Sequence, residues 1–237
     1  YRRQRQMCIR DRTEYFNNPV SEGEVFKELT WGKVPPLSKF KFLVAYGDPA
    51  PGENKSKKSS TKAVWLVGEL EGVYYVVKGF LDRGLNAEFI DWYFLLDEYV
   101  GRKTALYHYM ENNSLQDPFF RQVFRPLLSD KCKEHDVRLS IQPDEEKKTD
   151  KATRIEANLE PVNREGRLVF NIAEKENPHM QRLADQFLLF TLALKFPADG
   201  PDCIEGAKRI IDHKQQRMAP PVTIPARAFR AKNKYRI

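Results

Sequence analysis

The fold is decided by the stretch Phe40-Lys41-Phe42-Leu43-Val44-Ala45-Tyr46-Gly47-Asp48-Pro49. Its apolar run, interrupted only by Lys41, is too short for an ordinary helix and predicts a buried central strand over residues 40–46. Asp48 stands at the end of that strand, and Pro49 then restricts the direction in which the chain leaves it. We therefore expect a carboxylate at the edge of a sheet, where the strand emerges from the core.

Further acidic residues occur where an apolar segment stops. Glu111 follows a predicted strand over residues 104–110, and Asp199 and Asp202 stand in Ala-Asp-Gly-Pro-Asp at the start of a late helix. Mg²⁺ and Mn²⁺ prefer oxygen ligands, and hydrolysis of a phosphodiester by two ions about 3.5 to 4 Å apart needs several carboxylates held together. The sequence therefore predicts an acidic cluster of the kind that a metal-dependent nuclease uses.

Each of these acids also has an ordinary structural role. Asp48 could merely begin a turn, and Glu111 could lie in a solvated loop. An acid at a helix amino terminus is favoured as a cap and by the helix dipole. Either of Asp199 and Asp202 could be the cap and the other the metal ligand, and the spacing leaves both assignments open.

Charge is distributed unevenly along the 237 residues. The net charge is +7, of which residues 1–12 carry +4 and residues 213–237 carry +7, so residues 13–212 carry −4. A mildly acidic body fits a cation-binding site, and a basic tail fits contact with DNA phosphates, although a tail that only aids solubility has the same composition. The three cysteines include no Cys-x-x-Cys pair and are predicted to be ordinary thiols.

The chain is predicted to form one domain with extended ends. Residues 1–12 lack periodicity and are interpreted as a sequencing artefact or a disordered segment, which implies that the natural amino-terminal part is missing. Residues 13–39 are predicted to be a linker that wraps onto the domain, residues 40–216 the domain itself, and residues 217–237 a basic tail. No apolar run approaches the roughly 20 residues of a membrane-spanning helix, so we expect no membrane association.

The order of the predicted elements indicates the fold class. The order β-β-β-α-β-α-β is typical of an α/β, ribonuclease H-like fold with a mixed central sheet flanked by helices, in which the acidic positions named above converge. After the first strand we predict a hairpin of residues 63–70 and 73–81, a helix 86–100 with Asn86 as N-cap, and a helix 117–128. The later predicted elements are a short strand 137–141, a charged loop 142–151, a helix 151–159, a strand 168–172, and helices 180–194 and 202–216.

Several short motifs, taken in their order, resemble those of a known family. Residues 13–216 resemble the carboxy-terminal nuclease domain of the large terminase subunit of tailed bacteriophages and prophages. The resemblance is carried by Glu14-Tyr15-Phe16-Asn17-Asn18-Pro19, Trp31-Gly32-Lys33, Tyr46-Gly47-Asp48-Pro49, Met110-Glu111-Asn112 and Asp199-Gly200-Pro201-Asp202-Cys203-Ile204-Glu205-Gly206-Ala207. The chain departs from the family pattern at Ala198, where a second acid is often found, and at Lys62.

The resemblance implies an endonuclease that cuts concatemeric double-stranded DNA with two Mg²⁺ or Mn²⁺ ions during genome packaging. It implies that Asp48, Glu111 and Asp199 are catalytic metal ligands, and that Asp202 binds metal or orients another group. It also implies an absent ATPase domain before the linker, the portal and the small terminase subunit as partners, oligomers only on the packaging complex, and the host cytoplasm as location.

Two other functions are compatible with the same sequence. One is a catalytically weak docking module for the portal or procapsid, and the other is a different ribonuclease H-fold nuclease, such as a resolvase. A lysine- and serine-rich loop after Asp48 could contact DNA phosphates or could simply be solvated; its lysines are Lys55, Lys57, Lys58 and Lys62.

Overall fold

The computed structural model describes residues 23–49, 61–112 and 120–218. The predictions for residues 1–12, for the first part of the linker, for the beginning of the helix at residue 117 and for the chain after Met218 lie outside these ranges. So do Lys55, Lys57 and Lys58 of the predicted phosphate-contacting loop. Within the described ranges, no helix combines the length and the apolar character needed to cross a membrane.

A seven-stranded mixed sheet forms the centre of the molecule, with strand order β1-β7-β4-β3-β2-β5-β6. All neighbouring pairs are parallel except the two that involve β3, which is antiparallel to β2 and β4. The strands are β1 (Thr30–Gly32), β2 (Phe42–Asp48), β3 (Lys62–Leu70), β4 (Val73–Asp82), β5 (Ala105–Glu111), β6 (Ile141–Asp144) and β7 (Leu168–Asn171).

The register of the parallel strands brings acidic residues to one edge of the sheet. In β2 and β5, Gly47 pairs with Met110, so Asp48 and Glu111 follow at the same level. In β5 and β6, Glu111 pairs directly with Asp144. Because parallel strands point their carboxyl ends in one direction, the acids that end β2, β5 and β6 lie at this edge.

Within the described ranges, five α-helices cover the two faces of the sheet. They are α1 (Asn86–Val100), α2 (Arg125–Glu134), which follows a π-helical turn at Phe120–Phe124, α3 (Lys151–Arg164), α4 (Pro178–Leu188) and α5 (Asp199–Met218). Apolar residues of α3, α4 and α5 share one core cluster with the β2 residues Phe42, Val44 and Tyr46. The alternate β2 residues Leu43 and Ala45 face the opposite cluster, which holds α1 and the turn before α2.

The hairpin and the span of the first helix are confirmed, but the predicted N-cap of that helix is wrong. β3 and β4 are antiparallel and join through Glu71 and Gly72, whose positive φ angles of 54° and 82° suit a tight hairpin turn. Helix α1 spans residues 86–100 and ends at Gly101 in the left-handed conformation. Its N-cap is Leu85, not Asn86, because the Glu88 side chain accepts a hydrogen bond from the Leu85 backbone N–H.

Other elements differ from the prediction at their ends. Of the predicted strand 137–141 only Ile141 is in a strand, and β6 (Ile141–Asp144) continues through residues 142–144, which were predicted to belong to a charged loop. Helix α2 runs on to Glu134, and α4 stops at Leu188, where residues 189–194 leave the helix. Part of the predicted linker forms β1 at the sheet edge beside β7, and Phe26 packs in the core against Phe187. These differences arise from tertiary packing that local sequence does not report.

Helix α5 approaches the sheet closely where it crosses β2. A Cβ atom added at Gly206 would lie 2.5 Å from two ring carbons of Tyr46, and the Cys203 thiol donates a hydrogen bond to the Tyr46 carbonyl at 2.9 Å. Only a residue without a side chain fits between this helix and the buried tyrosine ring. The close approach sets the distance between the start of α5 and the end of β2.

Replacing Gly206 with alanine tests this contact. We expect Gly206→Ala to lower stability by about 1 to 3 kcal/mol, because overpacking against Tyr46 outweighs the roughly 1 kcal/mol by which alanine favours a helix over glycine. Thermal denaturation would show a lower Tm than wild type, while the exposed α5 substitution Gln216→Ala should leave the Tm nearly unchanged. An equal or higher Tm for Gly206→Ala would contradict the close packing.

Candidate active site

Three carboxylates meet at the carboxyl edge of the sheet. Asp48 ends β2, Glu111 ends β5, and Asp202 comes from the first turn of α5, which packs over that edge. One carboxylate oxygen of each lies within 4.8 Å of the other two. All three side chains are largely buried, at 9%, 9% and 5% exposure. We call Asp48, Glu111 and Asp202 the acidic trio.

Asp199 lies outside the acidic trio. Helix α5 begins at Asp199, one turn earlier than predicted, so both aspartates are in its first turn. The Asp199 carboxylate accepts a hydrogen bond from the Thr61 hydroxyl at 2.5 Å and from the Lys151 ammonium at 3.0 Å. Since residues three apart on a helix point in adjacent directions, Asp199 faces the start of β3 while Asp202 faces the ends of β2 and β5.

Cations surround the acidic trio. The Lys148 ammonium lies 2.6 Å from Glu111 and 3.7 Å from Asp202, and the Lys151 ammonium lies 3.4 Å from Asp202. The Arg154 guanidinium also donates to Asp202. These cations offset the negative charge that the fold concentrates at this edge.

Arg154 joins Asp202 to a second buried acid. Its Nε donates to Glu205 at 2.7 Å while its terminal nitrogen donates to Asp202, and Asn158 donates to the other Glu205 oxygen at 2.9 Å. Glu205 is fully buried, and its two carboxylate oxygens are both bonded. The arrangement fixes the orientation of Asp202, because its partner Arg154 is itself held from two sides.

Asp144 is a functional candidate that sequence reasoning missed. It pairs with Glu111 in the sheet and accepts a hydrogen bond from the Tyr46 hydroxyl at 2.5 Å, and it also binds Arg209 of α5. The rule that found Asp48 and Glu111 needs an apolar run before the acid, and Ile141-Gln142-Pro143 does not supply one. The strand is short and contains a proline, so its sequence indicated a loop instead.

Burial and charge shift the pKa values of Asp48 and Asp202 in opposite directions. Burial, with repulsion from Glu111 and Asp202, raises the pKa of Asp48 to about 7. Burial also acts to raise the pKa of Asp202, but Lys148, Lys151 and Arg154 together outweigh it and hold that pKa below its usual range. The ionised form of Asp48 is therefore disfavoured chiefly by burial, whereas the ionised form of Asp202 is stabilised by its neighbouring cations.

The donor set suits a hard divalent cation. Three carboxylates that converge from separate elements supply oxygen ligands of the type that Mg²⁺ and Mn²⁺ bind. The carboxylates of Glu111 and Asp202 pair with ammonium and guanidinium groups, so they are already oriented toward positive charge. The residues present therefore fit a metal ion at this edge.

Replacing Asp48 with asparagine should stabilise the metal-free protein. The Asp48 carboxyl has a folded pKa of about 7, above its unfolded value, so its ionisation progressively destabilises the fold as pH rises from about 4 to 7. Asparagine does not ionise. We expect Asp48→Asn to increase the free energy of unfolding by about 1 to 2 kcal/mol at pH 8, with little difference below pH 4.

Urea denaturation in EDTA at pH 4, 6 and 8 would measure this difference. Asp82→Asn is a matched control, because Asp82 ends β4 at the same edge of the sheet but pairs with Arg182 away from the trio. A loss of stability in Asp48→Asn at pH 8 would contradict the cost assigned to ionising the buried Asp48 carboxyl beside Glu111 and Asp202.

No family model matches the chain, and no curated protein sequence matches it. Two solved structures of the human cytomegalovirus terminase nuclease domain superpose with a TM-score of 0.56 over 81% of this chain and 94% of theirs. Their sequences are 16% and 17% identical to this one. The large terminase nuclease of the thermophilic phage G20c matches more distantly, with a TM-score of 0.46 and 10% identity over 78% of this chain and 94% of its own.

The mixed sheet with helices on both faces has the arrangement of the cytomegalovirus terminase nuclease domain. The α/β class and the ribonuclease H-like arrangement predicted from the sequence are thereby confirmed, and the chain has the fold of a terminase nuclease domain.

Proposed function

We propose that this chain is the metal-dependent endonuclease domain of a phage or prophage terminase large subunit. It would cut concatemeric double-stranded DNA during genome packaging. The observation that carries the proposal is the convergence of Asp48, Glu111 and Asp202 at the carboxyl edge of a sheet with this fold. The matched cytomegalovirus proteins are described as terminase nuclease domains, one of them soaked with Mn and bound to an inhibitor, which supports the same chemistry here.

The acidic trio would hold two Mg²⁺ or Mn²⁺ ions, with Asp202 rather than Asp199 as the ligand from α5. When bound, such ions stabilise the negative charge that develops on the phosphate during hydrolysis. Arg154 would keep the Asp202 carboxylate in a fixed orientation through its bonds to Asp202 and Glu205. Asp199 would hold Lys151 beside the site, where the ammonium could contact a DNA phosphate.

The wider biological setting follows from the same proposal. DNA would be bound largely through its phosphates, with little reading of base sequence. The portal and the small terminase subunit would be partners on the packaging complex, where the protein would assemble, and the host cytoplasm would be the location. Contacts from the basic tail would add affinity that falls as salt concentration rises.

Cleavage of supercoiled plasmid tests the proposed activity. We expect the protein to nick and linearise plasmid in Mn²⁺ or Mg²⁺ and to leave it intact in EDTA. Asp48→Asn should lower the rate at least roughly a hundredfold, because it removes one charged ligand from the metal site. Asp82→Asn, the matched control, should cleave like wild type.

The result of the cleavage assay distinguishes the proposed nuclease from a docking module and from a resolvase. Absence of cleavage by folded wild-type protein with either metal would contradict an autonomous nuclease and favour a docking module. Cleavage that Asp48→Asn leaves intact would place the activity elsewhere. Preferential cleavage of four-way junctions over linear duplex would favour a resolvase.

The two aspartates of α5 can be separated by substitution. We expect Asp202→Asn to abolish both cleavage and the rise in Tm caused by Mn²⁺, because it removes a member of the trio. Asp199→Asn should retain the Mn²⁺-dependent rise in Tm and lose no more than about tenfold in rate, because Asp199 binds Thr61 and Lys151. Plasmid cleavage and thermal denaturation with and without Mn²⁺ would measure both effects.

The reverse result has a clear meaning. If Asp199→Asn eliminated the Mn²⁺ response while Asp202→Asn kept it, Asp199 would be the ligand and the geometry of the metal-bound protein would differ from that described above.

A further inference from the structure

Lys148 occupies a central position between members of the acidic trio. It belongs to the segment of residues 145–150 that connects β6 to α3 and has no regular secondary structure. Its side chain is only 10% exposed, and its ammonium lies 2.6 Å from Glu111 Oε2 and 3.7 Å from Asp202 Oδ1. The same ammonium lies 5.4 Å from the centre of the Tyr46 ring. Lys148 is therefore a largely buried cation that lies between two members of the acidic trio.

The ammonium and a divalent ion would use the same oxygens. A carboxylate oxygen that accepts a short, charge-assisted hydrogen bond has its negative charge already engaged. An ion coordinated by Glu111 and Asp202 would also lie within a few ångströms of the Lys148 ammonium and be repelled by it. It is therefore unfavourable for the Lys148 ammonium and a divalent ion to bind Glu111 and Asp202 at the same time.

We propose that Lys148 is an internal competitor for the divalent ion and so sets the metal affinity of the site. This inference rests on the proposed function. In the metal-free protein Lys148 offsets the repulsion among the buried carboxylates, and it must release Glu111 and Asp202 before an ion binds. The role concerns affinity, and it is separate from the role of Arg154, which contacts Asp202 and Glu205 and leaves Glu111 to Lys148.

The ends of the connecting segment limit the movement that release requires. Glu146 is bound to Arg209 of α5, and the Asp150 side chain caps α3 by accepting from the Thr153 backbone N–H at 2.9 Å. Residues on either side of Lys148 are therefore anchored. The lysine can withdraw through rotation of its own side chain and a local change of backbone, while β6 and α3 stay in place.

Calorimetric titration of the full chain with Mn²⁺ tests the proposal without any measurement of cleavage. Lys148→Met keeps an apolar stem of similar length and removes the charge. We expect its apparent Kd for Mn²⁺ to be at least roughly tenfold lower than that of wild type, because the competing cation is gone. Its Tm in EDTA should fall, because the carboxylates then repel one another with less compensation.

Two further variants provide the controls. Lys147→Met makes the same chemical change at the neighbouring residue, whose side chain is exposed, and should bind Mn²⁺ like wild type. Lys148→Arg keeps the positive charge and should bind Mn²⁺ no more tightly than wild type. The arginine variant also keeps the proposal testable if Lys148→Met does not fold.

The results distinguish this inference from the proposed function. A folded Lys148→Met with unchanged or weaker Mn²⁺ affinity would overturn the competitor role, as would tighter binding by Lys148→Arg. Either result leaves the nuclease proposal standing wherever wild type binds Mn²⁺ and Asp48→Asn does not. A Mn²⁺ titration to which neither wild type nor Lys148→Met responds would overturn both.

Discussion

Repulsion among buried carboxylates is the constraint on which the arrangement of this protein depends. Asp48, Glu111 and Asp202 have oxygens within 4.8 Å of one another in a part of the molecule that excludes most water. Such a cluster is unfavourable unless positive charge is close. Lys148, Lys151 and Arg154 supply that charge from the segment before α3 and from α3 itself. Helix α3 therefore contributes both to the hydrophobic core and to the charge balance at the sheet edge.

The sheet fixes the positions of the carboxylates more precisely than a loop could. Asp48 and Glu111 are held by the register of two adjacent parallel strands, both buried by helices on their two faces. Asp202 is brought to them by a helix whose distance from β2 is limited by Gly206 and Tyr46. Each of the three carboxylates therefore depends on a rigid element, and the cluster is an outcome of packing throughout the domain.

Much of this arrangement could be predicted from local sequence. Asp48 and Glu111 were recognisable because each ends an apolar run, and the hairpin was recognisable from the Glu71-Gly72 turn. The choice between Asp199 and Asp202 could not be made, because both lie in one helical turn and only packing against β2 orients them. Asp144 was missed because its strand is short, contains Pro143 and takes its strand character from pairing with β5. Glu205 gave no signal, since nothing in the sequence marks a glutamate as fully buried beside an arginine.

The position of Cys203 has a practical consequence for the study of this domain. Its thiol is buried between α5 and the sheet, bonded to the Tyr46 carbonyl, and it directly follows Asp202 in the chain. A thiol-modifying reagent can reach it only when α5 separates from the sheet, so the labelling rate reports how often that separation occurs. Cys132 is partly exposed and should react sooner. Cys203 is therefore a built-in reporter on the opening of α5, the helix that bears Asp202.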